Sequence, residues 1–281
     1  MSRYENYSEV AKHYDDTRVP IGAEIFVGAL ALLRKSCSQS RPGPRLLDAG
    51  CGTGNYTKLA LPYVDHIDAM DINAGMLDVA REKLSDAASE NNIAFHQGSV
   101  QELPFEDGCF DVVTFHQILH HLESGQDSDF AGHRLALVEA HRVLRPGGLL
   151  VVNCTSHEQL PHGYWYMHLL PTAVRTLYNR CIPADKLEVM LGEIGFNFEG
   201  RFVPLDGVLQ GTAYFQADGP LKPAWRAAES SWALAPEAEI EAAVSKLQGL
   251  KENGSLVAYM NEHDEERRQV GQTTFFTAWK A

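Results

Sequence analysis

The stretch Leu46-Leu47-Asp48-Ala49-Gly50-Cys51-Gly52-Thr53-Gly54 decides the fold. Arg45 to Ala49 is a short buried strand, and the glycines after it form a turn into a helix that begins near Asn55. Glycine at such a turn permits a positive φ and lets a ligand approach the backbone closely. The general expectation is a nucleotide held at the carboxyl ends of parallel strands. A dinucleotide fingerprint spaces its glycines G-x-G-x-x-G and offers a helix N-terminus to a pyrophosphate. Here the spacing is G-x-G-x-G, with Asp48 two residues before the first glycine. A carboxylate there repels a pyrophosphate and attracts a cation, such as an α-ammonium group, directly or through water.

Working outward, strand and helix alternate. The helix from Asn55 stops near Pro62, and His66 to Met70 is a second strand. Asn73 caps a helix expected to run to about Ser89, with Met76, Ala80 and Leu84 on one face. Ile93–Gln97 and Phe110–Phe115 are the third and fourth strands. Ala136, Ala140, Val143 and Leu144 mark a helix stopped by Arg145-Pro146-Gly147-Gly148, and Leu149–Asn153 is the fifth strand. Five alternations with short connections are the pattern of a doubly wound, mainly parallel sheet. Beyond residue 155 the pattern is weaker: a helix over Ala184–Gly195, a strand over Arg201–Leu209, helical character over 221–262, and a closing strand over Thr273–Trp279. Before the core, Ile21–Lys35 forms a helix and Ser36–Pro44 a loop.

Asp71 ends the second strand, 17 residues after Gly54, where a carboxylate accepts both hydroxyls of a ribose. Ile72 beside it covers one face of an adenine. A nucleoside with a cationic tail and no phosphate is thereby specified, and S-adenosylmethionine fits that description. At this point the sequence resembles a known family. Leu46–Gly54, Asp71, Gly98–Phe105, Phe110–Leu122 and Arg145–Gly148 look like successive motifs of the class I S-adenosylmethionine-dependent methyltransferases, small-molecule branch. The resemblance covers roughly residues 45–155. It implies an α/β fold with a seven-stranded sheet whose last strand is antiparallel, with helical lid insertions. It places Asp48, Gly50, Gly52 and Gly54 at the methionine moiety and Asp71 at the ribose, with Cys51, inside the same turn, in the expected cofactor-binding set. Ser99 and Val100 would lie beside adenine, and His116 and Gln117 at the floor near the methyl group. Tyr14 joins the expected cofactor-binding set. One position departs from the family, which usually has an acidic residue after the third-motif glycine; Ser99 stands there, a weaker acceptor than a carboxylate.

Residues 1–44 are expected as an N-terminal helical cap, 45–155 as the cofactor-binding core, and 156–281 as the rest of the sheet with a helical substrate lid. The net charge of −13, from 37 acidic and 24 basic residues, and the absence of any basic block argue against nucleic acid or an anionic membrane surface as partner. Five dispersed cysteines make no disulfide framework and suit a reducing cytoplasm, and no apolar stretch approaches the ~20 residues of a bilayer span. The expectation is a cytoplasmic enzyme acting on a small-molecule methyl acceptor.

His116, His120 and His121 follow the fourth strand, the first and second a helical turn apart if a helix begins early. No carboxylate or cysteine accompanies them at metal-ligand spacing, so no metal site is expected. They serve as a general base near the methyl group or pack at a strand-to-helix turn. Tyr164, Trp165, Tyr166 and His168 follow the fifth strand, either as part of the acceptor wall or as an aromatic face on the core. Cys51 sits in the turn as a structural residue. Two other functions compete with methyl transfer: a nicotinamide-dependent oxidoreductase on a similar sheet, and a non-catalytic nucleoside-binding partner subunit.

Overall fold

Seven strands form one sheet in the computed structural model, which describes residues 14–15, 18–36, 43–90, 92–122, 129–227 and 229–281. Most of the expected loop Ser36–Pro44 and the first residues of the expected cap lie outside that range. The strands are β1 (Arg45–Ala49), β2 (His66–Asp71), β3 (Ile93–Gln97), β4 (Phe110–His116), β5 (Leu144–Cys154), β6 (Phe196–Phe202) and β7 (Thr274–Lys280). Their order is β3-β2-β1-β4-β5-β7-β6. β1 to β5 pair in parallel, and β7 runs antiparallel between β5 and β6. The doubly wound sheet with an antiparallel last strand is therefore as expected. Order reverses between β1 and β4, which opens a crevice at their carboxyl ends.

Strand periodicity sorts the core. Leu46 and Val112 point to one face, among Phe26, Leu30 and Ile67. Their neighbours Leu47 and Val113 point to the other, against Ala136, Leu137 and Ala140 of the helix Ala131–Val143. All seven residues of β4 are buried, as befits a strand covered on both faces. A third cluster comes from the segments on either side of β6 and includes Trp165, Tyr166, Tyr214, Trp232 and Leu247. Among the described residues, no helix is long and apolar enough to cross a membrane.

Four expectations need correction. The helix from Asn73 is two helices, Ala74–Lys83 and Ser85–Ser89, because Leu84 leaves helical geometry at φ −112°, ψ 22° and is buried in the core. β5 begins at Leu144, so the Arg-Pro-Gly-Gly run ends the helix yet stays in the strand, where it pairs irregularly with β4. The sixth strand is Phe196–Phe202, not Arg201–Leu209. Pro204 cannot donate to a ladder, and Phe196 and Phe198 supply the inward alternation instead. Lastly, no α-helix joins His116 to His120: the first ends β4 and the second lies on a short 3-10 turn, Leu119–His121.

Candidate cofactor and acceptor site

The glycine turn takes the backbone where other residues go only with strain: φ is +83° at Gly50, +54° at Gly52 and +81° at Gly54. Gly50 and Cys51 both donate their N–H to Met70 O, at 2.7 and 2.9 Å, which ties the turn to the end of β2. Asp71 fixes the far side. Its carboxylate accepts from Gly52 N at 2.9 Å and from Asn73 N at 2.8 Å. Asn73 in turn caps the next helix by accepting from Met76 N at 3.1 Å. Burial nonetheless holds the Asp71 carboxyl above its ordinary range.

Asp48 lies beneath the turn, only 1% exposed, but reaches the cavity. It accepts from the Thr57 hydroxyl at 2.5 Å and the Thr114 hydroxyl at 3.2 Å. Burial pushes its pKa up to about 6 against those two hydrogen bonds, with the Asp71 charge adding to the rise. Cys51 is also buried, which keeps it a thiol.

An N-terminal segment crosses the turn. Asp15 accepts from the Thr53 hydroxyl at 2.6 Å and the Asn55 amide at 3.0 Å, and it pairs with Lys83. Tyr14 lines the cavity, with the Arg18 guanidinium 5.9 Å from its ring centroid. Arg18 reaches Glu229 at 2.5 Å, and Glu229 also accepts from Tyr166 at 3.0 Å and from Gln210 at 2.9 Å. Sequence reasoning missed Asp15, Lys83, Arg18 and Glu229. Arg18 and Glu229 are 211 residues apart, and nothing in spacing joins them.

The cavity they enclose is about 710 Å³, in the range of small-molecule and cofactor sites. Ile72 is 71% exposed there, and Ser99 and Val100 line it on the β3 side. His116 forms part of its floor. The ring is only 6% exposed and stacks on Tyr56 with centroids 3.7 Å apart. Neither ring nitrogen has a hydrogen-bond partner among the described residues, and burial lowers its pKa to about 3. Gln117 also lines the cavity, its amide held by donating to Asn153 at 3.0 Å and to Thr273 at 2.5 Å. His120 and His121 line the cavity with their ring centroids 4.0 Å apart. Among the described residues, no group of three His, Cys, Asp or Glu side chains converges as a metal site.

The four aromatic positions after β5 separate. Tyr164 lines the cavity. Trp165 is 0% exposed, donates its indole N–H to Tyr214 O at 3.1 Å, and sits inside the third cluster. Tyr166 is buried beside it and holds Glu229. His168 is exposed, stacked on His263 at 4.0 Å and bonded to the Tyr259 hydroxyl. Trp165, Tyr166 and His168 are not among the residues that line the cavity.

Against known proteins, residues 47–152 match a family model described as a methyltransferase domain. The chain is 37% identical over 179 residues to a ubiquinone/menaquinone biosynthesis C-methyltransferase of Vibrio parahaemolyticus, covering 59% of this chain and 64% of that one. A demethylmenaquinone methyltransferase of Staphylococcus aureus is 33% identical over 165 residues, covering 57% and 64% respectively. The chain thus spans just under two thirds of the length of these relatives. Among solved structures, a protein described as a methyltransferase from an antibiotic biosynthesis pathway of Anabaena variabilis superimposes with a TM-score of 0.69. It is 21% identical, and the match covers 95% of this chain and 100% of that one, so the likeness is one of fold.

Proposed function

We propose that this chain, a member of the class I methyltransferases by its domain at residues 47–152, moves the methyl group of S-adenosylmethionine to an O, N, S or other soft nucleophile, carbon included, of a small molecule. The observation that carries the reading is one continuous cavity joining the glycine turn and Asp71 to an apolar chamber beside Leu160, Tyr164 and Met167. The residues fit the cofactor: Gly52 lines the cavity where a Cβ would meet nothing within 4 Å, Gly50 and Gly54 turn their Cβ side to Ile118 and Leu84 and shape the turn instead, and His116 presents two nitrogens without partners among the described residues in a buried floor. Bound there, S-adenosylmethionine supplies an electrophilic methyl on a cationic sulfur, which departs as a neutral thioether.

The chain's own residues supply position and exclusion. Asp71 and Ile72 hold the ribose and cover adenine, with Ser99 and Val100 on its other side. Asp48 and the turn Gly50–Gly54 receive the methionine moiety, and Tyr14 closes over it. The described residues within 1–44 cap the site, those within 45–155 hold the cofactor, and those within 156–281 wall the acceptor. Alignment of acceptor and methyl, with water excluded by the lid, carries most of the rate. His116 stays neutral at physiological pH and offers a hydrogen-bond acceptor near the reacting atoms; His120 or His121 is the better placed base for a protonated nucleophile.

Two expected results arise here. Asp71→Ala should weaken S-adenosylhomocysteine binding by ~1–3 kcal/mol, the range for a charge-assisted hydrogen bond; an unchanged dissociation constant in a folded variant removes Asp71 from the ribose site. The second concerns pH. The folded pKa of Asp48 is raised to about 6, so its protonated form favours the cofactor-free fold and this contribution is lost as pH rises through 6. The ionised form receives the cation. Affinity for the cofactor should therefore rise about tenfold from pH 5 to pH 7 and flatten above, while Asp48→Asn removes the dependence. A flat profile in the parent protein contradicts the role of Asp48.

The activity itself is tested with isotope-labelled S-adenosylmethionine and a panel of phenols, quinols, amines and thiols. Label should appear in at least one acceptor with matching S-adenosylhomocysteine. Tight cofactor binding with no label in any acceptor favours the non-catalytic, nucleoside-binding alternative.

A further inference from the structure

Around the apolar chamber the cavity is lined from four separate segments, by Arg18 and Val19, by Tyr164 and Met167, by Leu209, and by Glu229. None of these residues lies on a strand, so the sheet does not set their spacing. One carboxylate meets all four segments. Glu229 is 4% exposed; its Oε1 accepts from Arg18 at 2.5 Å, and its Oε2 accepts from the Tyr166 hydroxyl at 3.0 Å and the Gln210 amide at 2.9 Å. Gln210 also donates to the Tyr166 hydroxyl at 2.6 Å, which closes a triangle of buried polar groups. Tyr166 stands between Tyr164 and Met167, and Gln210 follows Leu209, so each bond holds a wall residue one or two positions away. The segment that brings Arg18 is tied to the cofactor half as well. Val19 N–H donates to Leu209 O at 2.9 Å, and Ile21 O accepts from the Tyr56 hydroxyl at 2.7 Å. Tyr56 sits on the helix Asn55–Ala60 that leaves the glycine turn, and its ring stacks on His116.

We propose that Glu229 and Arg18 are positioning residues, whose ion pair sets the shape of the acceptor wall and makes that wall answer to occupancy of the glycine turn. An ion pair withdrawn from water adds little net stability, because desolvation offsets most of its attraction, yet either charge is costly unless it meets the other. The pair therefore specifies register. Of the arrangements open to four segments that no strand fixes, the one that joins Glu229 to Arg18 is selected. Arg18 is three residues from Ile21, and Ile21 rests on Tyr56. A ligand that packs the turn and its helix steadies the segment carrying Arg18, and through Glu229 it steadies the segments carrying Tyr164, Met167 and Leu209. Linkage makes the effect reciprocal: a molecule that fills the chamber favours the occupied turn by the same free energy. The response to occupancy rests on the cofactor reading of the turn, whereas the hold of Glu229 on the wall rests on its own bonds.

Tryptophan emission reads the wall, because Trp165, Trp225 and Trp232 lie in the third cluster with Tyr166, while Trp279 is on β7. Hydrogen exchange of the whole chain reads it locally, on peptides covering residues 159–170 and 207–216. Glu229→Gln keeps the size of the side chain and removes its charge. Without ligand, this variant should exchange those two regions at least about tenfold faster than the parent protein, while peptides of β1 and β4 keep their rates. S-adenosylhomocysteine should slow exchange in both regions of the parent and shift its tryptophan emission. It should bind Glu229→Gln within about threefold of the parent affinity and produce neither change. Arg18→Gln should behave like Glu229→Gln, and Arg18→Lys, which retains the charge, should restore the response. If Glu229→Gln does not fold, the Arg18→Gln and Arg18→Lys pair carries the test. Parent-like exchange in both regions of the ligand-free variant, or equal acceleration in β1 and β4, overturns the proposal, as does a parent that binds S-adenosylhomocysteine with no response of the wall. Failure of S-adenosylhomocysteine to bind, with the ligand-free regions accelerated as expected, overturns the cofactor reading and leaves the hold of Glu229 on the wall standing.

Discussion

Trp165→Ala should cost ~3–5 kcal/mol of stability, the range for emptying a buried aromatic site, and should leave cofactor affinity nearly unchanged at low temperature. The indole is fully enclosed and bonded through its ring N–H to Tyr214 O. Its backbone N–H also donates to the Tyr214 hydroxyl at 3.2 Å, a bond that the substitution leaves in place. Tyr166, packed edge-on at 5.6 Å, carries the strain onward to Glu229 and Arg18. Removing the indole leaves a cavity and an unsatisfied Tyr214 carbonyl in the lid cluster. The sheet and glycine turn have their own packing and remain. Chemical denaturation and calorimetry measure the two quantities separately. A variant with near-normal stability and lost methyl transfer would instead return Trp165 to the acceptor wall.

Gly50→Ala should be nearly as damaging, by a different cause. Gly50 holds φ +83°, and a Cβ there would come 2.4 Å from Ile118 Cγ2. Left-handed backbone costs an L-residue about 1–2 kcal/mol and overpacking about 1–3 more. Ile118 cannot simply retreat, since it packs against the core below β4. The turn must move, and with it the two N–H bonds to Met70 O. S-adenosylhomocysteine affinity should fall by more than about tenfold, on top of about 2–5 kcal/mol lost in stability. Gly52 is the control. Its φ is +54°, but a Cβ meets nothing within 4 Å, so Gly52→Ala should cost only about 1–2 kcal/mol in stability. Equal stability losses at the two positions would show that backbone strain alone, not Ile118, sets the requirement for glycine.

The contrast between those two regions also explains what could be read in advance. β1, the turn and β2 are local: a strand, three glycines and a capping Asn follow one another in the chain, and propensity and packing agree there. The positions of Asp48 and Asp71, at the ends of adjacent strands beside the glycine turn and on the lining of the cavity, were legible because each is fixed by its own strand and the turn next to it. Distance in sequence hid the rest. The Arg18–Glu229–Tyr166–Gln210 network draws on four remote segments, and Asp15–Lys83 on two. β6 was misplaced because apolar residues from Phe202 to Leu209 imitate a strand, although Pro204 interrupts them and the true edge strand is more polar. The aromatic run after β5 gave the segment's burial but not its direction, since period alone cannot tell a wall from a core. Ring orientation came from partners at Tyr214, Glu229 and Tyr259, none of which periodicity could name.

The central claim is that the turn Gly50–Gly54, with Asp48 and Asp71, holds a phosphate-free adenosine with a cationic tail. Calorimetric titration of the whole chain with S-adenosylhomocysteine and, separately, with NADH tests it most directly. Saturable one-to-one binding of S-adenosylhomocysteine at micromolar concentration, with none for NADH, is the predicted result. Micromolar binding of NADH with no binding of S-adenosylhomocysteine would contradict it.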